Sequence, residues 1–282
     1  MTDNIGTIDA VIEKALSKYD KIIEHVFNKN FKEGDKVISI TREQLAEACT
    51  SLDIGRIKNL GDIPYSYRFR RNLPTSVVGH APTDSEWIIV GSGVGKYEFR
   101  LASPAKISPS DNRQRIRIPD ATPEIVKKYA PGTDEQALLT KVRYNRLVDL
   151  FTGLTCYSIQ NHLRTTVTNI GQIEIDEIYL GISKKGAHYV IPCQAKSPGD
   201  RFGIVQVMQD IAFCRARYPN AICKPIALQF LTECDVAMLE LAVQVDKDVF
   251  RLSVVDEKHY QLTTKDGIVD TDITAYRDSE QE

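Results

Sequence analysis

Polar side chains recur at a spacing of two residues in two neighbouring segments of this chain. Glu174 and Asp176 stand two apart in GQIEIDEIYLG, and Gln194 and Lys196 stand two apart in YVIPCQAK. Side chains at this spacing share one face of a β-strand, about 7 Å apart. Two carboxylates so placed repel each other, and a divalent cation such as Mg²⁺, which prefers oxygen ligands, relieves the repulsion. The pattern predicts a metal-binding strand face; a solvated face with incidental acids is the alternative.

The two segments are separated by the turn SKKGAH, so they can form a hairpin. The hairpin would bring Asp176 beside Gln194 and Lys196. The carboxylate would hold a metal ion and the amide oxygen would add a ligand. The lysine would orient a water molecule, or would deprotonate it when the side chain is a neutral amine. A surface lysine next to a turn is the alternative interpretation of Lys196.

The elements that would position these residues follow from hydrophobic periodicity. The second half of the chain predicts a helix from Thr133 through Leu150 and strands over TCYSIQNHLRTTV, GQIEIDEIYLGIS and AHYVIPCQAK. A helix over FGIVQVMQDIAFCRARY and a strand over ICKPIALQFL follow. This alternation is typical of a mixed α/β sheet.

The order of these elements, with EID in one strand and QAK in the next, resembles the PD-(D/E)XK nuclease superfamily over about residues 133 to 232. The resemblance implies a restriction-endonuclease-like αβββαβ domain with Mg²⁺ as cofactor, which Mn²⁺ can replace. It implies catalytic roles for Asp176, Gln194 and Lys196, with Glu174 as a further metal ligand. Gln194 departs from the commoner glutamate, and the Q-x-K form is usual in the Mrr-like branch.

The resemblance also points to one residue on each of two helices. The first helix of the family often carries a glutamate that completes the metal site, and Glu135 is the candidate here. A first-turn acid favoured by the helix dipole is the alternative. The second helix often carries a glutamine that faces the site. Of Gln206 and Gln209, the latter is favoured because Gln209 and Phe213 stand four residues apart, which is similar to the Q-x-x-x-Y pattern of RecB-like nucleases.

The first half of the chain predicts a DNA-binding region. An amphipathic helix over residues 8 to 27 and a helix from a capping box at Thr41 to Gly55 precede EWIIVGSGVGKYEFRL, which predicts two strands around a glycine-rich turn. Helices followed by such a hairpin are typical of a winged-helix arrangement. GSGVGK lacks the first glycine and the Ser/Thr of a phosphate loop, so no nucleotide cofactor is expected.

Basic residues are concentrated in this half. Residues 40 to 120 contain 12 Lys/Arg and 9 Asp/Glu, whereas residues 231 to 282 contain 5 and 13, which predicts a surface for an acidic polymer. YSYRFRR is interpreted as a strand that interleaves arginines with aromatics, and RQRIRIP as a strand with a basic face. The candidate DNA contacts are Arg68, Arg70, Arg71, Lys96, Arg113, Arg115 and Arg201. An ordinary exposed basic surface is the alternative.

The 282 residues, 42% hydrophobic and 26% charged, are typical of a globular protein. The predicted organisation is a winged-helix-like DNA-binding domain over 1–120, a linker over 121–132, a nuclease domain over 133–262 and an acidic C-terminal tail over 263–282. Six cysteines without a CxxC motif predict buried free thiols. No signal peptide and no membrane-spanning run are recognised, so a cytoplasmic protein without a membrane partner is expected.

The sequence thus predicts a Mg²⁺-dependent endonuclease of double-stranded DNA, most simply a type II restriction endonuclease. A homodimer is expected, because cutting both strands is easiest with two sites. Two alternatives stay open: an Mrr-like type IV enzyme for modified DNA, and a winged-helix DNA-binding regulator with an inactive nuclease fold. The glutamine in the Q-x-K motif supports both.

Overall fold

The computed structural model describes residues 17–129, 132–168, 170–264 and 267–280. The protein combines helices with a large mixed sheet, which confirms the predicted mixed α/β class. The chain forms two compact units. The first comprises Met1–Ala105, Thr168–Gly171 and Gln244–Arg251; the second comprises Lys106–Val167, Gln172–Val243 and Leu252–Glu282. No helix in these described ranges is long and apolar enough to span a membrane.

The first unit packs helices on an antiparallel sheet. Its helices are α1 (Lys18–Asn30), α2 (Arg42–Ser51), α3 (Asp62–Phe69) and α4 (Thr75–Val78), and its strands are β1 (Val37–Thr41), β2 (Glu86–Gly93) and β3 (Lys96–Ala102). Strand β3 pairs with both β1 and β2, so the predicted hairpin is confirmed. Phe27, Trp87 and Phe99 form edge-to-face contacts at the centre of its core.

Capping residues explain where the first two helices begin. Ser17 caps α1, and the part of the predicted helix before residue 17 lies outside the described residues. The capping box at Thr41 is confirmed: Gln44 accepts a hydrogen bond from the Thr41 backbone at 2.9 Å, and the Thr41 hydroxyl accepts one from the Gln44 backbone at 3.4 Å. Helix α2 ends at Ser51, so the predicted end at Gly55 is wrong.

The strand predicted over YSYRFRR is wrong, because this segment lies largely in α3. Ile63, Pro64 and Tyr67 are buried, and their spacing of three and four residues is that of a helix face. Pro64 is tolerated in the first turn, where the missing N–H has no helical partner. Arg68 and Arg70 therefore do not share a strand face.

The second unit contains the predicted succession of elements. They are β4 (Lys106–Ile107), β5 (Arg115–Pro119), α5 (Glu124–Tyr129), α6 (Glu135–Tyr144), α7 (Leu147–Thr152), β6 (Thr155–Val167), β7 (Gly171–Ile182), β8 (His188–Lys196), β9 (Phe202–Gly203), α8 (Ile204–Arg217), β10 (Ile222–Cys223), β11 (Ile226–Phe230), β12 (Asp235–Asp246), β13 (Val249–Thr263) and α9 (Asp270–Ser279). The strand order is β13-β12-β11-β8-β7-β6, with β5 on β13 and β10 on β8. Strands β8 and β11 are parallel, and β7 and β8 are antiparallel. The ends of β12 and β13 at their connecting turn belong to the first unit.

The helix predicted from Thr133 through Leu150 is two helices. Arg146 adopts a left-handed conformation, with φ at 51°, and this conformation ends α6 and starts α7. The N-cap is Asp134, whose carboxylate accepts a hydrogen bond from the Ala137 backbone at 2.8 Å, so the predicted cap at Thr133 is wrong. Helices α6 and α7 cover one face of the sheet, where Leu138 and Val142 pack in the core of this unit.

Part of the predicted acidic tail forms α9, which packs against β5. The Tyr276 hydroxyl accepts a hydrogen bond from the Arg117 backbone at 2.9 Å, and Asp272 pairs with the Arg117 side chain at 3.1 Å.

Candidate active site

Strands β7 and β8 pair through their backbones as far as Glu177 opposite Cys193. Beyond this pair, a side chain of β7 accepts a hydrogen bond that a backbone carbonyl accepts in a regular pair of strands. The carboxylate of Asp176 accepts a hydrogen bond from the backbone N–H of Ala195 at 2.8 Å. The strands therefore part where the EID and QAK segments meet, and Asp176 is held at the junction by the residue that precedes Lys196.

Gln194 is buried at the same junction. Its amide nitrogen donates to the backbone carbonyl of Glu174 at 3.1 Å and to the two carboxylate oxygens of Asp210 at 3.0 and 3.2 Å. Its amide oxygen faces the amide nitrogen of Gln206 at 3.5 Å. Helix α8 thus supplies Gln206 and Asp210 to the junction, one helical turn apart.

Asp210 is a residue that the sequence analysis missed. It is 1% exposed. Burial raises the pKa of the Asp210 carboxyl well above its usual range, although the hydrogen bond from Gln194 opposes this effect. The sign of Asp210 in the sequence is an acid that stands within the apolar periodicity of α8. Charged residues are seldom fully buried unless they are paired, so such an acid is a candidate for a polar contact in the core.

Glu135 and Lys196 complete the group of charges around Asp176. Burial raises the pKa of Glu135, the first residue of α6; Lys196 lowers it, and Asp176 and Asp200 raise it further. Burial also raises the pKa of Asp176, against the effects of the Ala195 N–H and of Lys196. Within the described residues, the Glu135 and Lys196 side chains form no hydrogen bond or ion pair. The three groups act on one another through space without pairing directly.

An ion pair between a partly exposed arginine and a buried glutamate fixes the helix that carries Glu135 to the strand that carries Asp176. Arg143 of α6 donates to the two carboxylate oxygens of Glu177 at 3.0 and 3.1 Å, and Ser158 donates to one of them at 2.6 Å. Glu177 is fully buried. A bidentate guanidinium–carboxylate pair restricts orientation as well as distance, so it holds the two carboxylates of the site in a defined relation.

The structure gives other contacts to the remaining candidates of this site. The carboxylate of Glu174 pairs with Arg164 at 2.9 Å. The amide of Gln209 donates to the carbonyl of Gln172 at 3.3 Å, so Gln206 is the α8 glutamine that reaches Gln194. Arg201 donates to the carbonyl of Lys106 at 2.9 Å.

The chemistry of the donor set fits Mg²⁺. In the part of the chain that the structure describes, no three His, Cys, Asp or Glu side chains form a metal-binding cluster. Mg²⁺, however, is usually held by one or two carboxylates together with waters and substrate phosphates. Asp176 and Glu135 provide two carboxylates whose raised pKa values show that negative charge is costly here. A cation would offset that cost.

Three candidate DNA contacts of the first unit, which we call the α3 arginines, are Arg68, Arg70 and Arg71. Their guanidinium carbons lie over the rings of Phe69 at 4.9 Å, Tyr65 at 5.0 Å and Tyr19 at 5.9 Å, respectively. No carboxylate of the described residues forms an ion pair with any of the three. The Nε of Arg68 is buried without a hydrogen-bond partner, and burial lowers the pKa of this guanidinium.

Three neighbouring arginines of the second unit, which we call the β5 arginines, are Arg113 and two residues of β5, Arg115 and Arg117. They pair with Glu257 at 3.7 Å, Asp235 at 2.9 Å and Asp272 at 3.1 Å, respectively. The remaining DNA-binding candidate, Lys96, is exposed where β3 begins, next to the hairpin turn.

Comparisons with models of known protein families, with curated proteins and with solved structures give no match to this chain.

Proposed function

We propose that this protein is a Mg²⁺-dependent endonuclease that hydrolyses phosphodiester bonds in double-stranded DNA, as a type II restriction endonuclease does. The proposal includes a PD-(D/E)XK nuclease domain and a winged-helix-like DNA-binding region. The observation that carries it is the junction of β7 and β8. There the carboxylate of Asp176 accepts a hydrogen bond from the Ala195 N–H. Lys196 follows Ala195, and no side chain in the described part of the protein pairs with its ammonium group.

Each residue of the junction has a role in this proposal. Asp176 and Glu135 would hold Mg²⁺, with the amide oxygen of Gln194 as a neutral ligand. The bound ion would offset charge on the scissile phosphate and on the leaving 3′-oxygen. Lys196 would orient the attacking water, whose oxygen bonds to phosphorus as the bond from phosphorus to the 3′-oxygen breaks. The products would be a 5′-phosphate and a 3′-hydroxyl.

The α3 arginines support DNA as the substrate. Stacking on aromatic rings restricts a guanidinium without neutralising it, so the N–H donors that the protein does not use stay available for phosphate oxygens. Arg71 uses one of its donors on the Ser17 hydroxyl at 3.0 Å. We propose that these arginines contact the DNA backbone and that a homodimer supplies one active site to each strand.

The test is cleavage of supercoiled plasmid by the full-length protein in Mg²⁺. We expect Asp176→Ala and Lys196→Ala to lower the rate at least about 100-fold, the usual scale of a positioned acid–base group. Lys184→Ala, at an exposed position in the β7–β8 turn, is the matched control and should cleave like wild type. A wild-type protein that leaves all plasmids intact contradicts the proposal, and full activity in Asp176→Ala contradicts the site.

Glutamine at position 194, where glutamate is commoner, favours a second candidate, a DNA-binding regulator with an inactive nuclease fold, because a neutral amide offsets less of a cation's charge than a carboxylate does. Binding of DNA without cleavage, unchanged by Mg²⁺, would favour this candidate. The Q-x-K motif favours an Mrr-like enzyme for modified DNA as a third. Cleavage of methylated plasmid with unmodified plasmid left intact would identify that specificity.

A further inference from the structure

The amide of Gln194 has a defined orientation in the buried junction. Its nitrogen faces two acceptors, the carbonyl of Glu174 and the carboxylate of Asp210. A carbonyl oxygen can only accept a hydrogen bond, so the nitrogen end of the amide must lie on this side. Among the residues that the structure describes, the oxygen end contacts only Gln206, at 3.5 Å, the longest contact of the group.

Orientation matters for glutamine in a way that it does not for glutamate. The two oxygens of a carboxylate are equivalent, so either can bind a cation. An amide must present its oxygen, because its NH₂ group is a donor and carries no lone pair for a metal. The Q-x-K motif therefore needs a partner that selects one of the two amide orientations.

Asp210 is suited to that selection. It is almost completely buried, and its carboxylate bonds to Gln194 without a basic partner among the described residues. Both of its oxygens lie within 3.2 Å of the same nitrogen. The side chain thus makes its polar contacts with the one residue whose orientation the metal site requires.

We propose, on the basis of the proposed function, that Asp210 is a positioning residue that holds the nitrogen end of Gln194 so that its oxygen end serves the cation. Gln206 supports the arrangement from the same helix by facing that oxygen. A purely structural role would require only that the buried polar groups be satisfied, and it predicts no link to cation affinity.

The experiment measures Mn²⁺ affinity of the full-length protein by calorimetry in the absence of DNA, together with its melting temperature. Asp210→Asn keeps the shape of the side chain, but its amide can accept from or donate to Gln194, so only the Glu174 carbonyl at 3.1 Å still selects the orientation. We expect Mn²⁺ to bind about 10- to 100-fold more weakly, the usual effect of losing a group that orients a metal ligand.

Asp235→Asn is the matched control. Asp235 is also a buried aspartate that accepts a hydrogen bond from a glutamine amide, that of Gln261 at 3.0 Å. We expect Asp235→Asn to bind Mn²⁺ as tightly as wild type does, even if the melting temperature of the variant falls. An equal loss in both variants would overturn the proposal.

The double variant Gln194→Glu with Asp210→Asn is the rescue. Glutamate at 194 needs no orientation, and asparagine at 210 can donate to it, so Mn²⁺ affinity should return to within about threefold of wild type. If the single Asp210→Asn variant fails to fold, the double variant decides, and Mn²⁺ binding at least tenfold weaker than wild type would overturn the proposal.

The outcomes separate this proposal from the proposed function. Wild type that binds no Mn²⁺ overturns both. Wild-type binding that Asp176→Ala abolishes, with no change in a folded Asp210→Asn variant, overturns the role of Asp210 alone.

Discussion

The α3 arginines and the β5 arginines are two sets of three with opposite surroundings. The α3 arginines lie over aromatic rings, and no described carboxylate pairs with them. Each β5 arginine pairs with an acid, and two of these acids, Asp235 and Glu257, are almost fully buried. The two sets would count equally in any tally of basic residues.

The difference shows that the availability of a charge, more than its presence, decides whether it can bind a phosphate. A paired arginine must give up its carboxylate before its N–H groups can reach another anion. An arginine held by a ring keeps its donors, at the cost of an uncompensated charge. We therefore expect the α3 arginines to serve DNA binding and the β5 arginines to serve stability.

The largest expected effect is on DNA affinity. Hydrogen bonds to charged groups contribute about 1.5–3 kcal/mol each. The double variant Arg70→Ala, Arg71→Ala should therefore bind duplex DNA at least about 100-fold more weakly. The slope of log affinity against log salt should also fall by about two. Fluorescence anisotropy over a range of salt concentrations measures both quantities.

The matched control for DNA binding is Arg115→Ala, Arg117→Ala, which removes the same charge from the β5 set. It should change DNA affinity by less than about threefold. If the β5 variant loses as much affinity as the α3 variant, the distinction between the two sets is wrong.

A smaller effect is expected on stability, where the β5 substitution should cost more than the α3 substitution. Arg115→Ala leaves the buried Asp235 with only the hydrogen bond from Gln261 at 3.0 Å. Uncompensated buried groups cost about 1–3 kcal/mol, so the free energy of unfolding should fall by that amount. Arg70→Ala should lower it by about 0.5 kcal/mol or less, as exposed substitutions do. Urea denaturation compares the two variants, and equal losses would contradict the assignment.

The smallest expected effect is a dependence of stability on pH through Glu257. Burial alone would raise its pKa, but hydrogen bonds from the Ser110 backbone and hydroxyl and from His259 outweigh burial and lower it. A carboxyl with a lowered pKa stabilises the fold above its unfolded value, about 4.3. That contribution is lost as pH falls through the folded value.

Urea unfolding at pH 7 and pH 3.5 tests this dependence. Wild type should lose more stability between the two conditions than Glu257→Gln, which cannot titrate at this position. Equal losses would show that Glu257 does not stabilise the region around the β5 arginines through its charge.

Sequence patterns predicted the elements of the candidate site well. The period of two in EID and QAK, with a turn between them, places Asp176 and Gln194 on adjacent strands, and β7 and β8 are found there. The predicted strand over YSYRFRR failed for a physical reason. Alternating arginines and aromatics imitate the period of a strand, but burial of Ile63 and Tyr67 follows the period of a helix.

Long-range partners could not be predicted. Asp210 lies 16 residues from Gln194, and Asp272 lies 155 residues from Arg117. No local pattern specifies such contacts, because they depend on how the sheet and helices pack. For the same reason, no local pattern separates arginines that pair with acids from arginines that stack on aromatic rings.

The most direct test of the central claim is anomalous diffraction from crystals of the full-length protein soaked in Mn²⁺. We predict a single strong peak about 2.1 Å from carboxylate oxygens of both Asp176 and Glu135, with the amide oxygen of Gln194 turned toward it. A peak that lacks Asp176 as a ligand, or no peak at this junction at saturating Mn²⁺, would contradict a metal-dependent nuclease site.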